Sequence, residues 1–64
     1  MTPFDKFINM NYYTVYQELQ LTAYENELFT SLIENNIDYN IDENPDRIKV
    51  FVDQEGIIKR FEFG

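Results

Sequence analysis

The stretch YYTVYQELQLTAYENELFTSLIEN, residues 12–35, contains the two elements that decide the predicted fold. Its first part is rich in tyrosine, valine and threonine, which favour the pleated surface of a sheet. Alternate positions of this part place four apolar side chains on one face, as is typical of a strand: Tyr13, Val15, Leu19 and Leu21. We therefore predict a strand from Tyr12 to Leu21.

A helix is predicted to follow this strand. Thr22 and Glu25 have the spacing of a capping box, in which a hydroxyl and a carboxylate bind backbone N–H groups at a helix start. The helix would run from Ala23 to Asn35, where Asn35 and Asn36 can end it because asparagine tolerates the left-handed conformation. Its apolar arc of about 180° exceeds the roughly 100° that a small domain needs, which predicts a second contact with another subunit or a target: Tyr24, Leu28, Phe29, Leu32 and Ile33.

The flanking segments supply the remaining elements. Thr2 and Pro3 suit a helix start, which predicts a short N-terminal helix to about Met10, with a loose arm as the alternative. Residues 37–41 and 47–52 alternate apolar and polar side chains, which predicts two strands separated by a turn at Pro45. The turn residues 53–56 are predicted to close a hairpin, in which residues 57–63 form the returning strand. The predicted class is α+β, with a small antiparallel sheet of three to four strands packed against one main helix.

Length and composition limit the class of protein. The 64 residues include twelve acidic and five basic residues, for a net charge of −7, and neither cysteine nor histidine. We expect a single domain, residues 1–64, with a marginal core that oligomerisation would support, because a disulfide or an ordinary structural zinc site is excluded. The charge argues against binding nucleic acid or an anionic membrane. Since neither a membrane span nor a signal peptide is evident, a cytoplasmic location is expected.

The charge is placed unevenly along the chain. Residues 7–46 contain eight acids and no base, so we expect one strongly negative region. Ordinary surface charge for solubility is one interpretation. The other is imitation of DNA, because acids that repeat along a strand at about 6.6 Å can present a phosphate-like field to a basic cleft. Six acids are candidates for this phosphate-mimicking surface: Glu18, Glu27, Glu34, Asp38, Asp42 and Glu43.

Catalytic chemistry is poorly supported. The chain lacks the histidine and cysteine of common bases and nucleophiles, and its single serine, Ser31, falls inside the predicted helix. The segment DYNID, residues 38–42, resembles the start of a calcium loop, but that loop requires glycine where Glu43 stands and glutamate where Lys49 stands. We therefore expect no enzyme activity, no metal, no cofactor and no small-molecule substrate.

Glu25 falls inside the apolar arc of the predicted helix, between Leu32 and Phe29. One interpretation is a capping acid that folds back over the helix end. Another is a carboxylate at the rim of an apolar groove, where it would accept hydrogen bonds from a partner. On the second interpretation, four apolar side chains line the partner-binding groove beside Glu25: Tyr24, Leu28, Phe29 and Leu32.

One part of the chain resembles a known family. The order of motifs between residues 12 and 29 is similar to that of the short, dimeric class of phage-encoded uracil-DNA glycosylase inhibitors: Tyr12-Tyr13, Leu19-x-Leu21 and Thr22-x-Tyr24-Glu25. The resemblance implies a homodimer in which each subunit has a small antiparallel sheet and one helix. It also implies that the dimer occupies the DNA-binding cleft of the host glycosylase. In that complex an apolar groove sequesters the leucine loop that the enzyme inserts into the minor groove, and acids imitate phosphates.

The resemblance also assigns roles to individual residues. The family's aromatic-glutamate pair falls on Tyr24 and Glu25, with tyrosine in place of phenylalanine. The family's second aromatic falls on Leu28, with Phe29 beside it. The expected function is thus DNA mimicry in the cytoplasm of a phage's host. Two alternatives stay open: another phage inhibitor or adaptor of a nucleic-acid enzyme, such as an anti-CRISPR or anti-restriction protein, and a purely structural dimerising domain.

Overall fold

A computed structural model describes residues 2–64. Its elements, in chain order, are a 3-10 turn (Asp5–Phe7), α1 (Tyr12–Glu25), β1 (Phe29–Glu34), β2 (Arg47–Val52) and β3 (Ile58–Phe63). The predicted α+β class is confirmed, with one main helix, a small sheet and a short helical turn near the N-terminus. Within the described residues, no helix is long and apolar enough to cross a lipid bilayer.

The sheet is mixed. Its strand order is β1-β2-β3, with β2 antiparallel to β3 and β1 parallel to β2. The predicted pairing of the last two strands is confirmed, but the expected antiparallel arrangement holds for that pair only. β1 is parallel to β2 because residues 35–46 cross one face of the sheet and return the chain to the end of the sheet at which β1 begins. Phe29 therefore pairs with Arg47.

The strand predicted over residues 12–21 is wrong, because these residues form most of α1. Asn11 caps this helix, since its side-chain oxygen accepts hydrogen bonds from the backbone N–H groups of Tyr13 and Thr14. Four side chains at helical spacing face the sheet, three of them buried and Val15 partly so: Tyr12, Val15, Leu19 and Ala23. Burial of this stripe outweighs the preference of tyrosine, valine and threonine for strands.

The helix predicted over residues 23–35 is wrong beyond Glu25. Thr22, its predicted cap, lies inside α1, and its hydroxyl donates to a backbone carbonyl of the preceding turn. The residues that follow form β1, whose side chains alternate between two covered faces of the sheet. Leu32 packs against the core under α1, and Ile33 is buried on the opposite face. Because adjacent apolar residues that pack on opposite faces give no period of two, the pattern does not distinguish this strand from a helix.

The C-terminus of α1 is a Schellman turn. The N–H of Leu28 donates to the carbonyl oxygen of Ala23 at 2.8 Å, and the N–H of Glu27 donates to that of Tyr24 at 3.0 Å. Such a turn needs one residue in the left-handed conformation, and Glu27 occupies this position with a φ of 59°. The chain reverses here and enters β1 directly at Phe29.

The main core lies between α1 and one face of the sheet. Leu19 of α1 and Val50 of β2 are both fully buried in it. The N-terminal segment belongs to the same core, because Phe4 and Phe7 are each 1% exposed. The ring of Phe4 lies 5.6 Å from that of Phe61 in β3. The segment is therefore a packed part of the domain, and the alternative of a loose arm is wrong.

The opposite face of the sheet is covered by residues 35–46. Ile33 and Phe51 are buried on this side. Lys49 of β2 forms an ion pair of 2.6 Å with Asp38 of the covering segment. Both faces of the small sheet are thus shielded, one by a helix and the other by an irregular segment held by polar contacts.

Residues 37–41, predicted as a strand, have no regular structure in the fold. The side chains of Asp38 and Asn40 bind groups on the sheet below them, so the segment lies across the sheet rather than extending it. Asn35 and Asn36 take the left-handed conformation with φ of 54° and 60°, as predicted, but they do so in a turn after β1. The apolar side chains of the segment are exposed: Ile37, Tyr39 and Ile41.

We expect Glu27→Gly to stabilise the fold by about 0.5–1 kcal/mol, because glycine adopts the left-handed conformation without the steric cost of a Cβ atom. The matched control is Asn26→Gly, which should destabilise the fold. Asn26 has a φ of −103°, and its side chain donates to the carbonyl oxygen of Thr22. Urea unfolding measures both changes. A loss of stability in both variants would contradict the role assigned to Glu27 in the turn.

Candidate protein-binding surface

Every lysine and arginine of the chain forms an ion pair with a nearby acid: Lys6–Glu18, Arg47–Asp42, Lys49–Asp38, Lys59–Asp53 and Arg60–Glu62. Five pairs leave seven of the twelve acids without a basic partner among residues 2–64. Three of the predicted phosphate-mimicking acids are therefore partly neutralised within the molecule: Glu18, Asp38 and Asp42. The other three pair with no base in the described part of the chain: Glu27, Glu34 and Glu43.

Arg47 is the buried member of these pairs, with 7% of its side chain exposed. Its Nε donates to the carbonyl oxygen of Gly64 at 3.0 Å, and its Nη2 donates to that of Asp42 at 2.6 Å. Its Nη1 donates to the side-chain oxygen of Asn40 at 3.3 Å. These bonds fasten the covering segment and the C-terminus to the start of β2, and a buried guanidinium with such partners is electrostatically satisfied.

Acids without a base cluster where α1 ends. The turn from α1 into β1 and the residue before β2 surround an open depression of about 670 Å³, which we call the acidic end: Tyr24, Glu25, Glu27, Leu28, Phe29 and Asp46. The N–H of Phe29 donates to the carbonyl oxygen of Asp46 at 2.8 Å, which brings Asp46 to this site. The C-terminus of α1 adds its own partial negative charge.

Three residues supply the apolar part of the lining of the acidic end: Tyr24, Leu28 and Phe29. Tyr24 is 79% exposed and Phe29 is 46% exposed, while Leu28 is partly buried against the core. A second depression of about 410 Å³ opens at the same end of the sheet, where β2 begins and β3 ends, and Glu43 and Phe63 line it. Carboxylates therefore flank exposed aromatic rings here, an arrangement suited to contact with a basic and partly apolar protein surface.

The structure brings four of the five predicted groove residues together. Tyr24, Glu25, Leu28 and Phe29 all line the acidic end, but they come from a helix end and a strand start rather than from one helical face. Leu32 is separate and lies in another depression, of about 330 Å³. The expectation of one continuous groove that includes Leu32 is therefore not met.

Two residues of this region were missed by the sequence reasoning. Asp46 lies beside Phe29 only because β1 and β2 pair in parallel, and Phe63 lies near Glu43 only because β3 pairs with β2. Both positions depend on strand pairing. The alternation of residues 47–52 was visible in the sequence, but no local signal showed which strand would lie next to them.

Hydrogen bonds and ion pairs lower the pKa of two surface carboxyls. The ammonium of Lys49 and the backbone N–H of Asn40 bind the Asp38 carboxylate and hold its pKa at about 2. Backbone N–H groups of Ile57 and Glu55 likewise lower the pKa of Asp53. The Asp38 carboxylate thus pairs with the ammonium of Lys49. Residues 2–64 contain no group of three or more side chains that could bind a metal ion.

No family model matches the chain, and no curated protein or solved structure matches it either. The resemblance to uracil-DNA glycosylase inhibitors thus rests on the sequence motifs. The local structures that it implied are different here, since Tyr12 and Tyr13 lie on α1 and Thr22 is inside that helix. Tyr24 and Glu25, the residues that the resemblance placed at the site, do lie in the acidic end.

The depressed pKa of Asp38 predicts a loss of stability in acid. Its pKa of about 2 lies below the ordinary value of 3.8, so its contribution is present above pH 4 and is lost as pH falls through about 2. We expect the unfolding free energy of Asp38→Asn to fall less over this range than that of the unaltered protein.

Urea unfolding between pH 2 and pH 6 measures the effect, and Glu55→Gln is the control because no lysine or arginine pairs with Glu55 among residues 2–64. Parallel pH curves for Asp38→Asn and the unaltered protein would contradict the assigned role of the Lys49 contact.

Proposed function

We propose that this protein is a non-catalytic inhibitor that binds the basic, DNA-binding cleft of a nucleic-acid enzyme through its acidic end. One observation carries the proposal: three carboxylates that pair with no base among residues 2–64 lie beside exposed apolar side chains where α1 turns into β1. Host uracil-DNA glycosylase is the first candidate, because the family resemblance placed Tyr24 and Glu25 at the contact. On this proposal the protein is encoded by a phage and acts in the cytoplasm of the host cell.

The proposed mechanism is occupation of the cleft. Lysine and arginine side chains that bind DNA phosphates would be attracted to Glu25, Glu27 and Asp46, so the inhibitor competes with the DNA backbone. The depression between Tyr24 and Phe29 would accept an apolar side chain of the enzyme, such as the leucine that the resemblance implies. Complementary charge accelerates association, and apolar contact lengthens the lifetime of the complex.

The set of acids in this proposal differs from the set predicted from the sequence. Glu27 and Glu43 remain, and Glu25 and Asp46 join them. Glu34 lies at the opposite end of β1, where it can act only if the partner reaches along the strand. Glu18, Asp38 and Asp42 are no longer in the set, because internal ion pairs reduce the field that they present: Lys6–Glu18, Lys49–Asp38 and Arg47–Asp42.

A uracil-excision assay tests the first candidate. We expect the protein to inhibit excision by a purified glycosylase, and Glu25→Gln combined with Glu27→Gln to weaken inhibition on the order of tenfold, since two charge contacts are lost. Glu55→Gln is the matched control, because it removes one acid on the β2–β3 turn, away from the acidic end. Added salt should weaken the unaltered inhibitor more than the double variant.

The outcomes separate the target from the surface. Undiminished excision at a large molar excess would reject uracil-DNA glycosylase. The same variants would then be tested on DNA-cleaving enzymes of CRISPR or restriction systems, the alternative targets. Inhibition that is equally strong in the double variant and in Glu55→Gln would reject the acidic end as the contact.

A second candidate function, a structural dimerising domain, is favoured by the outer face of α1. This face carries large uncharged side chains that are exposed by 46% to 64%: Tyr13, Tyr16 and Leu21. A homodimer formed through this face would bury them and add the support that a 64-residue core needs.

Sedimentation tests the dimer. We expect a concentration-dependent dimer in the unaltered protein and a monomer in Leu21→Lys, because a charge would enter the apolar contact. Leu21 lies on the solvent side of α1, so this change should leave the core intact. If the unaltered protein is a monomer at all concentrations, the dimerising function is excluded. The proposed inhibitor would then act as a monomer.

A further inference from the structure

β1 leaves one row of its backbone groups unpaired. The N–H of Phe29 donates to Asp46 before β2, and the N–H of Asn35 donates to Val52 at its end. Amides alternate in direction along a strand, so the ladder to β2 uses the odd-numbered residues of β1. The amides of Thr30 and Leu32 therefore point away from the sheet, and no other segment among residues 2–64 bonds them.

This edge lacks the features that usually prevent strand addition. β1 has the sequence FTSLIE, without lysine, arginine or proline, and its register with β2 has no bulge. The other edge of the sheet is better protected. There the Asn9 N–H donates to the carbonyl oxygen of Ile58, the Ile58 N–H donates to that of Met10, and β3 carries Lys59 and Arg60.

A depression lies at each end of this edge. The acidic end, with Glu27, adjoins the start of β1. The depression of about 330 Å³ adjoins the second half of β1. There Leu32 and Glu34 line it together with the exposed side chains of Ile37 and Tyr39. Six strand residues span roughly 20 Å, so an extended segment along the edge reaches both depressions. Each depression combines apolar side chains with a carboxylate that has no basic partner in the described chain.

We propose that the outer edge of β1 binds an extended, lysine- or arginine-containing segment of the partner protein as a fourth strand. Backbone groups of the segment bond the amides and carbonyls of Thr30 and Leu32. Its basic side chains meet Glu27 and Glu34, and its apolar side chains enter the two depressions. The inference rests on the proposed function for the sign of the partner's charge.

Charge complementarity favours this occupant over a second copy of the chain. Each copy has a net charge of −7, and all five of its bases already pair with its own acids. Pairing two β1 edges would bring two acidic molecules together with no base released to offset the repulsion. A basic segment would neutralise the carboxylates at both ends of the edge.

The probe is a synthetic eight-residue peptide of alternating lysine and valine, acetylated and amidated, added to the full-length protein labelled with nitrogen-15. At saturation we expect hydrogen exchange of the Thr30 and Leu32 amides to slow by about tenfold or more. The amides of Ser31 and Ile33 already bond β2 and should change little. The same peptide with every second backbone nitrogen methylated should bind at least about tenfold more weakly, although its charge is unchanged.

Two protein variants sharpen the test. Thr30→Pro removes one outward N–H while sparing the ladder to β2, and it should abolish peptide binding with the circular dichroism spectrum retained. Glu34→Gln should weaken binding, and Glu55→Gln should not. The methylated peptide keeps the proposal falsifiable if Thr30→Pro fails to fold, since it leaves the protein unaltered.

Three results would overturn the proposal. The first is the absence of any chemical-shift change up to millimolar peptide. The second is a change confined to Glu25, Glu27 and Asp46, which would leave the acidic end, and so the proposed function, intact. The third is protection of Thr30 and Leu32 that rises with protein concentration alone, which would assign the edge to a second copy. Slowed hydrogen exchange of the Thr30 and Leu32 amides in the presence of the peptide supports strand addition at the β1 edge, even if the protein inhibits no enzyme that is tested.

Discussion

The structure depends on the point at which α1 ends. Because the Leu28 N–H bonds back to Ala23, the apolar residues that follow become a strand and not two further turns of helix. This strand gives the sheet its third member, and a sheet of two strands would be marginal in water. The reversal also brings Asp46 to Phe29 at the acidic end, because β1 can then pair in parallel with β2.

The fold was predictable where the sequence carries a clear local pattern. The sequence of β2 alternates with a period of two, a turn that contains Gly56 follows it, and β2 and β3 both form as expected. Over residues 12–35 the two predictions are exchanged. The predicted strand is most of α1, and the predicted helix contains β1. Tyrosine and threonine prefer strands in general, but the stripe that includes Leu19 is buried at helical spacing under the sheet. β1 places the adjacent residues Leu32 and Ile33 on opposite faces of the sheet, so its sequence lacks the alternation that marks a half-buried strand.

The candidate site was predictable only where its residues are neighbours in the chain. Tyr24, Glu25, Leu28 and Phe29 stay together because one tight turn connects them. The charge pattern was visible in the sequence, but its neutralisation was not. Ion pairs such as Lys49–Asp38 form only when residues 35–46 fold across the sheet. The surface field is thus set by tertiary structure, since Arg47 and Lys49 bind acids of the covering segment.

The mixed sheet also has a consequence for folding kinetics. β2 and β3 are joined by a short turn, so their pairing requires closure of a small loop. β1 pairs with β2 only after the twelve-residue crossover of residues 35–46 closes, and the buried guanidinium of Arg47 must gather its partners from that crossover. We expect the C-terminal hairpin to form first and the first strand to join last. The strands then assemble in the opposite direction to ribosomal synthesis, and β1 stays unpaired until β2 and β3 have both left the ribosome.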